Sequence, residues 1–320
     1  MANTRSRQKI AVSGCLIGLC LVFLMGGCAS SSKKQQIIFT KYPNLKLGFT
    51  TKTFLDCLPV SAENVKTLID YAGDKGYSWI ELRDPNATLS LDECKDLAQY
   101  ARGRNIEVAY AINAGLLDSD FARKFDRGVH NAVFFDGPKT LRAVAGGSKF
   151  LEDLDKKGWT ADELAQLTAN ANRAAIAAQR RGLQFVVENG TEALKGDGKT
   201  YFGLTEFFDK ANPNVGWQFD TANFFSGSRV RATPEDAKAF LQEHINRLYY
   251  IHLKTSRNGL AQPVLGDNEL DFDVVFSLMS QHNVPYVAIE LYGTKSIKQV
   301  YRNQARSVAY LQKKGFVSVK

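Results

Sequence analysis

The chain is poor in the residues that build thiolate metal sites and redox pairs. Of its 320 residues five are cysteine, and Cys15, Cys20 and Cys28 all fall at the N-terminal end. Only Cys57 and Cys94 remain for a folded domain, so paired-cysteine zinc sites and dithiol chemistry are excluded. Those two could form one bridge in an oxidising compartment, but the preferred reading is two free buried thiols. Histidine is scarcer still, with four in all. The formal charge of +8 is interspersed without a long basic block, which describes a solvated surface and argues against a nucleic-acid partner. No Gly-x-Gly-x-x-Gly turn follows the first candidate strand, where a dinucleotide-binding sheet would carry one. No apolar run comfortably reaches the roughly 20 residues that span a bilayer.

What stands at the start is a leader. Arg5, Arg7 and Lys9 precede an apolar run from Ile10 to Met25, and Gly26, Gly27 and Cys28 close it. A basic start, a short apolar stretch and small residues describe an export signal. Leu24-Met25-Gly26-Gly27-Cys28 looks like a bacterial lipobox, with Met25 where Leu is more usual. The expectation is cleavage before Cys28, lipidation of its thiol, and a tether from 28 to 44 whose polar, small Ser30–Gln36 stretch suits that role. The expected location is the cell envelope, on the periplasmic face of the outer membrane in a Gram-negative cell.

From residue 45 to residue 320 short β-branched and aromatic runs alternate with longer amphipathic stretches. Strands are expected at Lys46–Thr50, Ser78–Leu82, Glu107–Ala111, Ala132–Phe135, Gln184–Glu188, Gly216–Thr221, Leu248–Lys254 and Tyr286–Leu291. Ser90 with Glu93 and Thr160 with Glu163 fit capping boxes, Thr233-Pro234 fits a helix start, and Ser61 fits an N-cap. Strand and helix in regular alternation over this length predict a single-domain α/β (β/α)8 TIM barrel with parallel strands. The stretch Lys139–Trp159 is the least regular, and a lid or helical insertion is expected there.

Active sites of such barrels lie at the C-terminal strand ends. The fifth expected strand ends in Glu188, the sixth in Asp220, the seventh carries His252 and the eighth Glu290. These residues are 32, 32 and 38 positions apart, about one strand-helix unit each. Taken singly, each is more often a rim residue or a satisfied core residue; the repeated position carries the signal. Three converging carboxylates repel one another, and a divalent cation removes that cost. Oxygen donors with one imidazole suit one ion of Mn, Mg, Co or Zn.

These residues also carry a resemblance. Val-Val-Glu188-Asn189, Phe-Asp220-Thr-Ala-Asn223, Ile-His252-Leu-Lys254 and Ile-Glu290 resemble the xylose-isomerase-like barrels called sugar phosphate isomerase/epimerases, over Leu45 to about Gln312. The resemblance implies that Glu188, Asp220, His252 and Glu290 ligate one metal and that Glu188 and Glu290 also act as acid and base. It implies an isomerase or epimerase of an unphosphorylated sugar, keto-sugar or polyol, working through a metal-stabilised enediolate. Substrate contacts are expected from Glu81, Asn113, Asn223, Lys254 and Arg257, although Glu81 with Arg83 could equally be a buried ion pair. Phe224 and Phe225 could stack on a sugar or simply pack. Epimerases of this kind commonly carry His where this chain has Asn223 and Gly190.

Three other readings compete. A metal-dependent lyase or dehydratase would use the same residues to expel a β-hydroxyl or cleave a 3-keto-glycoside. A non-catalytic carbohydrate-binding lipoprotein would keep the barrel without turnover. A phosphodiester-cleaving relative would need several histidines at the rim, whereas His244 and His282 are expected away from it. A small-molecule sugar and, through the lipid, a membrane are the expected partners; a homo-oligomer is compatible with the sequence.

Overall fold

The computed structural model describes residues 35–146, 159–190, 202–225 and 233–320. The leader, Cys28 and the first part of the tether lie outside them. The described residues fall in one compact unit, Lys34–Lys320. None of their helices is long and apolar enough to cross a membrane.

The eight barrel strands are β2 (Lys46–Thr50), β3 (Trp79–Arg83), β4 (Glu107–Gly115), β5 (Thr140–Val144), β6 (Gln184–Glu188), β7 (Val215–Asp220), β8 (Leu248–Leu253) and β11 (Tyr286–Ile289). They pair in parallel in that order, and β11 closes onto β2 with Val287 beside Leu47. Between them run α1 (Ala62–Lys75), α2 (Leu91–Arg104), α3 (Phe121–Ala132), α4 (Ala161–Gln179), α5 (Phe202–Lys210), α6 (Pro234–His244) and α7 (Phe272–Gln281), and α8 (Ile297–Lys313) follows β11. Capping boxes form at Ser90–Glu93, Thr160–Glu163 and Thr233–Asp236, and Ser61 caps α1. Each satisfies helix N–H groups that would otherwise lack partners. An outer hairpin, β9 (Ser256–Arg257) with β10 (Leu260–Ala261), follows β8.

Two differences from the sequence expectations have physical causes. Residues expected as tether include β1 (Ile37–Phe39), which pairs antiparallel with β12 (Val317–Val319). Ile37 and Phe39 are buried, so this stretch belongs to the folded unit. Gly76 ends α1 at φ +79°, and a Cβ there would stand 2.7 Å from the Gln35 carbonyl oxygen, so glycine lets the two segments meet. The second difference is the fourth barrel strand, expected at Ala132–Phe135. Ala132 ends α3, and the strand is Thr140–Val144. Val133-Phe134-Phe135 has strand composition, but its apolar groups pack outside the sheet as the helix ends. The true strand carries Arg142 at its centre, which breaks the apolar run. The remainder of the irregular stretch, 147–158, lies outside the described residues.

Alternation along the strands gives the lumen its own set of side chains. Its floor is Trp79, Ala109, Val186, Tyr250 and Ala288, with Tyr286 against them. Trp79 fills this space because β2 offers Gly48 opposite, where a Cβ would stand 2.6 Å from the indole. The Trp79 Nε1 donates to the Lys46 carbonyl at 3.1 Å. Two residues further along β3, β6, β8 and β11 the lumen changes from apolar to ionisable, at Glu81, Glu188, His252 and Glu290.

Candidate metal centre

Above the aromatic floor the inward positions are Thr50, Glu81, Arg83, Arg142, Glu188, Asp220, His252, Lys254 and Glu290, all buried. Strand period two sets this: Trp79, Glu81 and Arg83 share a face, as do Tyr250, His252 and Lys254. Glu290 lies one residue past β11, and its N–H donates to the Leu253 carbonyl, so the ladder still holds it.

Glu188, Asp220, His252 and Glu290 each offer one ligand atom, and the four atoms lie within 4.8 Å of one another. His252 Nδ1 stands 3.2 Å from Glu188 Oε1, 4.0 Å from Asp220 Oδ2 and 3.0 Å from Glu290 Oε2. Ligands at adjacent corners of an octahedron with bonds of about 2.1 Å stand ~3 Å apart, so the spread suits a common small cation.

The outer atoms of the quartet are already engaged. Asp220 Oδ1 accepts from the N–H groups of Ala222 and Asn223, leaving Oδ2 for the centre. Asn189 pins the same strand end, accepting from the Asp220 N–H and donating to its carbonyl. His252 Nε2 is 2.8 Å from Glu81 Oε2. A carboxylate on one ring nitrogen fixes the tautomer and presents the other nitrogen's lone pair, the usual support for a metal-bound imidazole.

With its lone pair inward, Nδ1 donates to neither neighbouring glutamate, although Glu188 Oε1 stands 3.2 Å and Glu290 Oε2 3.0 Å from it. Glu290 Oε2 is left buried with no hydrogen-bond partner among the described residues. An orphaned buried carboxylate oxygen beside a ring nitrogen is costly without a cation. The donor set therefore fits a divalent ion held by Glu188 Oε1, Asp220 Oδ2, His252 Nδ1 and Glu290 Oε2. Three oxygens and one imidazole suit Mn, Mg, Co or Zn.

Three cations surround these carboxylates. Arg142 is ion-paired to Glu188 Oε2. Lys254 Nζ lies 3.2 Å from Asp220 Oδ2 and 2.9 Å from Glu290 Oε1. Arg83 Nη2 stands 3.2 Å from Glu81 Oε1 and 3.7 Å from Glu290 Oε2. Burial alone would raise the Glu290 carboxyl, yet Lys254 and His252 hold it well below the usual carboxylate range. Burial pulls the Lys254 ammonium down, and Asp220 and Glu290 more than reverse this. The imidazole of His252 behaves alike: desolvation lowers it, Glu81 and Glu290 raise it, and the net shift is upward. Burial and the neighbouring Arg83 bring Arg142 down to about 10.

The residues expected to contact substrate divide. Lys254 joins the quartet directly. Asn223 sits beside it, its Nδ2 donating to the Asn189 carbonyl at 2.8 Å. Glu81 is fully buried and accepts from Thr50, Arg83, Tyr250 and His252. Asn113 is exposed near the end of β4. Arg257 is exposed on the β9–β10 hairpin, its guanidinium beside Gly266. Phe224 and Phe225 are buried in the core between sheet and helices. Arg142, Thr50 and Tyr250 escaped the sequence reading. The fourth strand was expected elsewhere, which left Arg142 out, and the period-two step back from His252 marks Tyr250.

The fold has parallels among known proteins. The family model for the xylose isomerase-like TIM barrel matches residues 60–313. Among solved structures, a sugar phosphate isomerase/epimerase from Parabacteroides distasonis ATCC 8503 superposes with a TM-score of 0.61 at 15% identity, covering 86% of this chain and 98% of that one. A D-allulose 3-epimerase from Methylomonas sp. gives 0.60 at 15% identity, over 86% and 99%. D-psicose 3-epimerase from Clostridium cellulolyticum H10, solved with D-tagatose, gives 0.60 at 13% identity, over 84% and 99%. At such identities the likeness concerns the fold. No curated protein sequence matches the chain.

Proposed function

Because the chain belongs to the xylose isomerase-like TIM barrel family, we propose that it is a divalent-metal-dependent isomerase or epimerase of an unphosphorylated sugar, keto-sugar or polyol. The observation that carries this reading is the convergence of Glu188, Asp220, His252 and Glu290 within 4.8 Å at the C-terminal end of the barrel.

A bound divalent cation would polarise a substrate carbonyl and the hydroxyl beside it, which acidifies the intervening C–H. The side chains of Glu188, Glu290 and Lys254 keep 7%, 10% and 11% exposure, while those of Asp220, His252 and Glu81 have none. The exposed three can touch a substrate; the buried three hold the scaffold. Glu188 and Glu290 are two carboxylates with separate tethers, one to Arg142 and one to Lys254. Either can take the proton from carbon while the other returns one to the opposite face, inverting the centre. Lys254 can steady the negative charge that develops on the substrate oxygen.

A second reading, elimination by a lyase or dehydratase, draws on Asn223. Its amide is tied to the Asn189 carbonyl at the position where related epimerases commonly present an imidazole. One experiment separates the two. The full chain, loaded with manganese, is screened against free keto-sugars and 3-keto-glycosides in deuterated water, with products read by NMR. Epimerisation installs deuterium without loss of oxygen; elimination loses one. Protein that binds no metal and turns over none of these compounds ends both readings.

The location belongs to the same proposal. The leader and Cys28 support export and lipid anchoring, and an extracytoplasmic site favours free sugars over phosphosugars. Metabolic labelling with palmitate should mark the chain, and label that persists in Cys28→Ala would remove the anchor.

A further inference from the structure

The lumen holds more positive charge than a metal site built from carboxylates needs. Four carboxylates face it: Glu81, Glu188, Asp220 and Glu290. Three cations stand among them: Arg83, Arg142 and Lys254. With His252 neutral as a ligand, the described lumen without metal carries one net negative charge. A divalent ion turns this into one net positive charge.

Asp84 does not alter the balance inside the lumen. It is buried, but on the helix side of β3, where Thr88, Leu89 and Tyr110 donate to it.

Hydrogen bonding points the same way. Arg83 Nη2 and Arg142 Nε are buried and donate no hydrogen bond among the described residues, although Arg83 Nη2 is ion-paired to Glu81 Oε1 and Arg142 to Glu188 Oε2. Arg83 Nη2 lies 3.7 Å from Glu290 Oε2, next to the ligand cluster. Buried guanidinium N–H groups that donate no hydrogen bond, in a lumen that a divalent ion makes net positive, are stabilised by an anionic oxygen ligand.

Building on the sugar isomerase reading, we propose that the metal-loaded site takes a carboxylate-bearing sugar, a keto-uronate or related sugar acid, in preference to a neutral sugar. Charge decides between the two common anionic groups. A carboxylate brings one negative charge and matches the surplus, whereas a phosphate ester brings about 1.5 to 2 at neutral pH and overshoots it. Planar carboxylate geometry also suits a guanidinium fork.

The test is equilibrium binding to the full-length, manganese-loaded protein, measured by calorimetry with three ligands of one carbon skeleton: D-fructuronate, D-fructose and D-fructose 6-phosphate. The expected result is fructuronate binding at least about tenfold tighter than fructose, with the phosphate ester between them. Lys254→Met and Arg83→Gln, each checked for manganese content and melting temperature, should bring the fructuronate-to-fructose ratio close to one. A purely structural role would weaken both ligands together and leave the ratio unchanged. Fructose binding within threefold of fructuronate, tighter binding of the phosphate ester, or no binding of fructuronate would each overturn the proposal. Manganese uptake is scored separately. Protein that takes up no manganese defeats the isomerase reading itself, and protein that takes it up but ignores the carboxylate defeats only this inference.

Discussion

Glu290→Gln and Glu188→Gln should each lower turnover by about 10²–10⁴-fold, the usual contribution of a placed acid or base. Glutamine keeps the length and an oxygen for the cation, so the loss falls mainly on proton transfer. Manganese content, measured on each variant, separates lost chemistry from a lost ion. The two variants should also differ from each other. With one base removed, the epimer whose C–H faces the surviving carboxylate can still exchange that hydrogen with solvent, although it can no longer invert. Each variant should therefore wash deuterium into one epimer only, and the two should choose opposite epimers. The geometry permits this because Glu188 and Glu290 reach the centre from non-adjacent strands, β6 and β11, and each has its own cationic anchor. Exchange into both epimers by either variant would show that neither glutamate is the obligatory base.

Much of this arrangement was legible in the sequence because strand period and strand-helix spacing are local properties. Glu188, Asp220, His252 and Glu290 announce themselves as polar residues ending apolar strands, and parallel closure brings such ends together. The barrel was readable for the same reason: capped helices at Ser90, Thr160 and Thr233 alternate with short apolar runs. Arg142 was not readable. A guanidinium at the centre of a strand looks like a surface residue until a carboxylate on the neighbouring strand, Glu188, is known to face it. The apolar Val133-Phe134-Phe135 run drew the strand assignment to the wrong place for a related reason: composition does not distinguish the end of a helix from a buried strand. Glu81 shows a different gap. Its place on the lumen face followed from period two, but its four hydrogen-bond donors come from β2, β3 and β8, and only tertiary structure assembles them.

That assembly makes Glu81→Gln a sharp test of how the centre is held. Four donors converge on the carboxylate: Thr50 Oγ1 at 2.8 Å and Arg83 Nε at 3.2 Å on Oε1, Tyr250 Oη at 2.7 Å and His252 Nε2 at 2.8 Å on Oε2. An amide has one accepting end and one donating end. If its NH2 faces Arg83, a buried guanidinium loses its partner, a change that typically costs about 3–5 kcal/mol. If it faces His252, Nε2 must accept, which moves the ring proton to Nδ1 and removes the lone pair that faces Glu188, Asp220 and Glu290. Either orientation damages the site, by different routes. Metal affinity should fall by about 10–100-fold, the usual effect of losing the group that orients a ligating histidine. Melting temperature of the metal-free protein should fall as well, since Glu81 carries its negative charge in a buried position that His252 and Arg83 stabilise against desolvation. A residue that only touches substrate would behave otherwise: affinity for manganese and stability would stay at wild-type values, and the loss would appear in substrate binding alone. Calorimetric titration with manganese and thermal melting of the same preparation distinguish these outcomes without any assay of turnover.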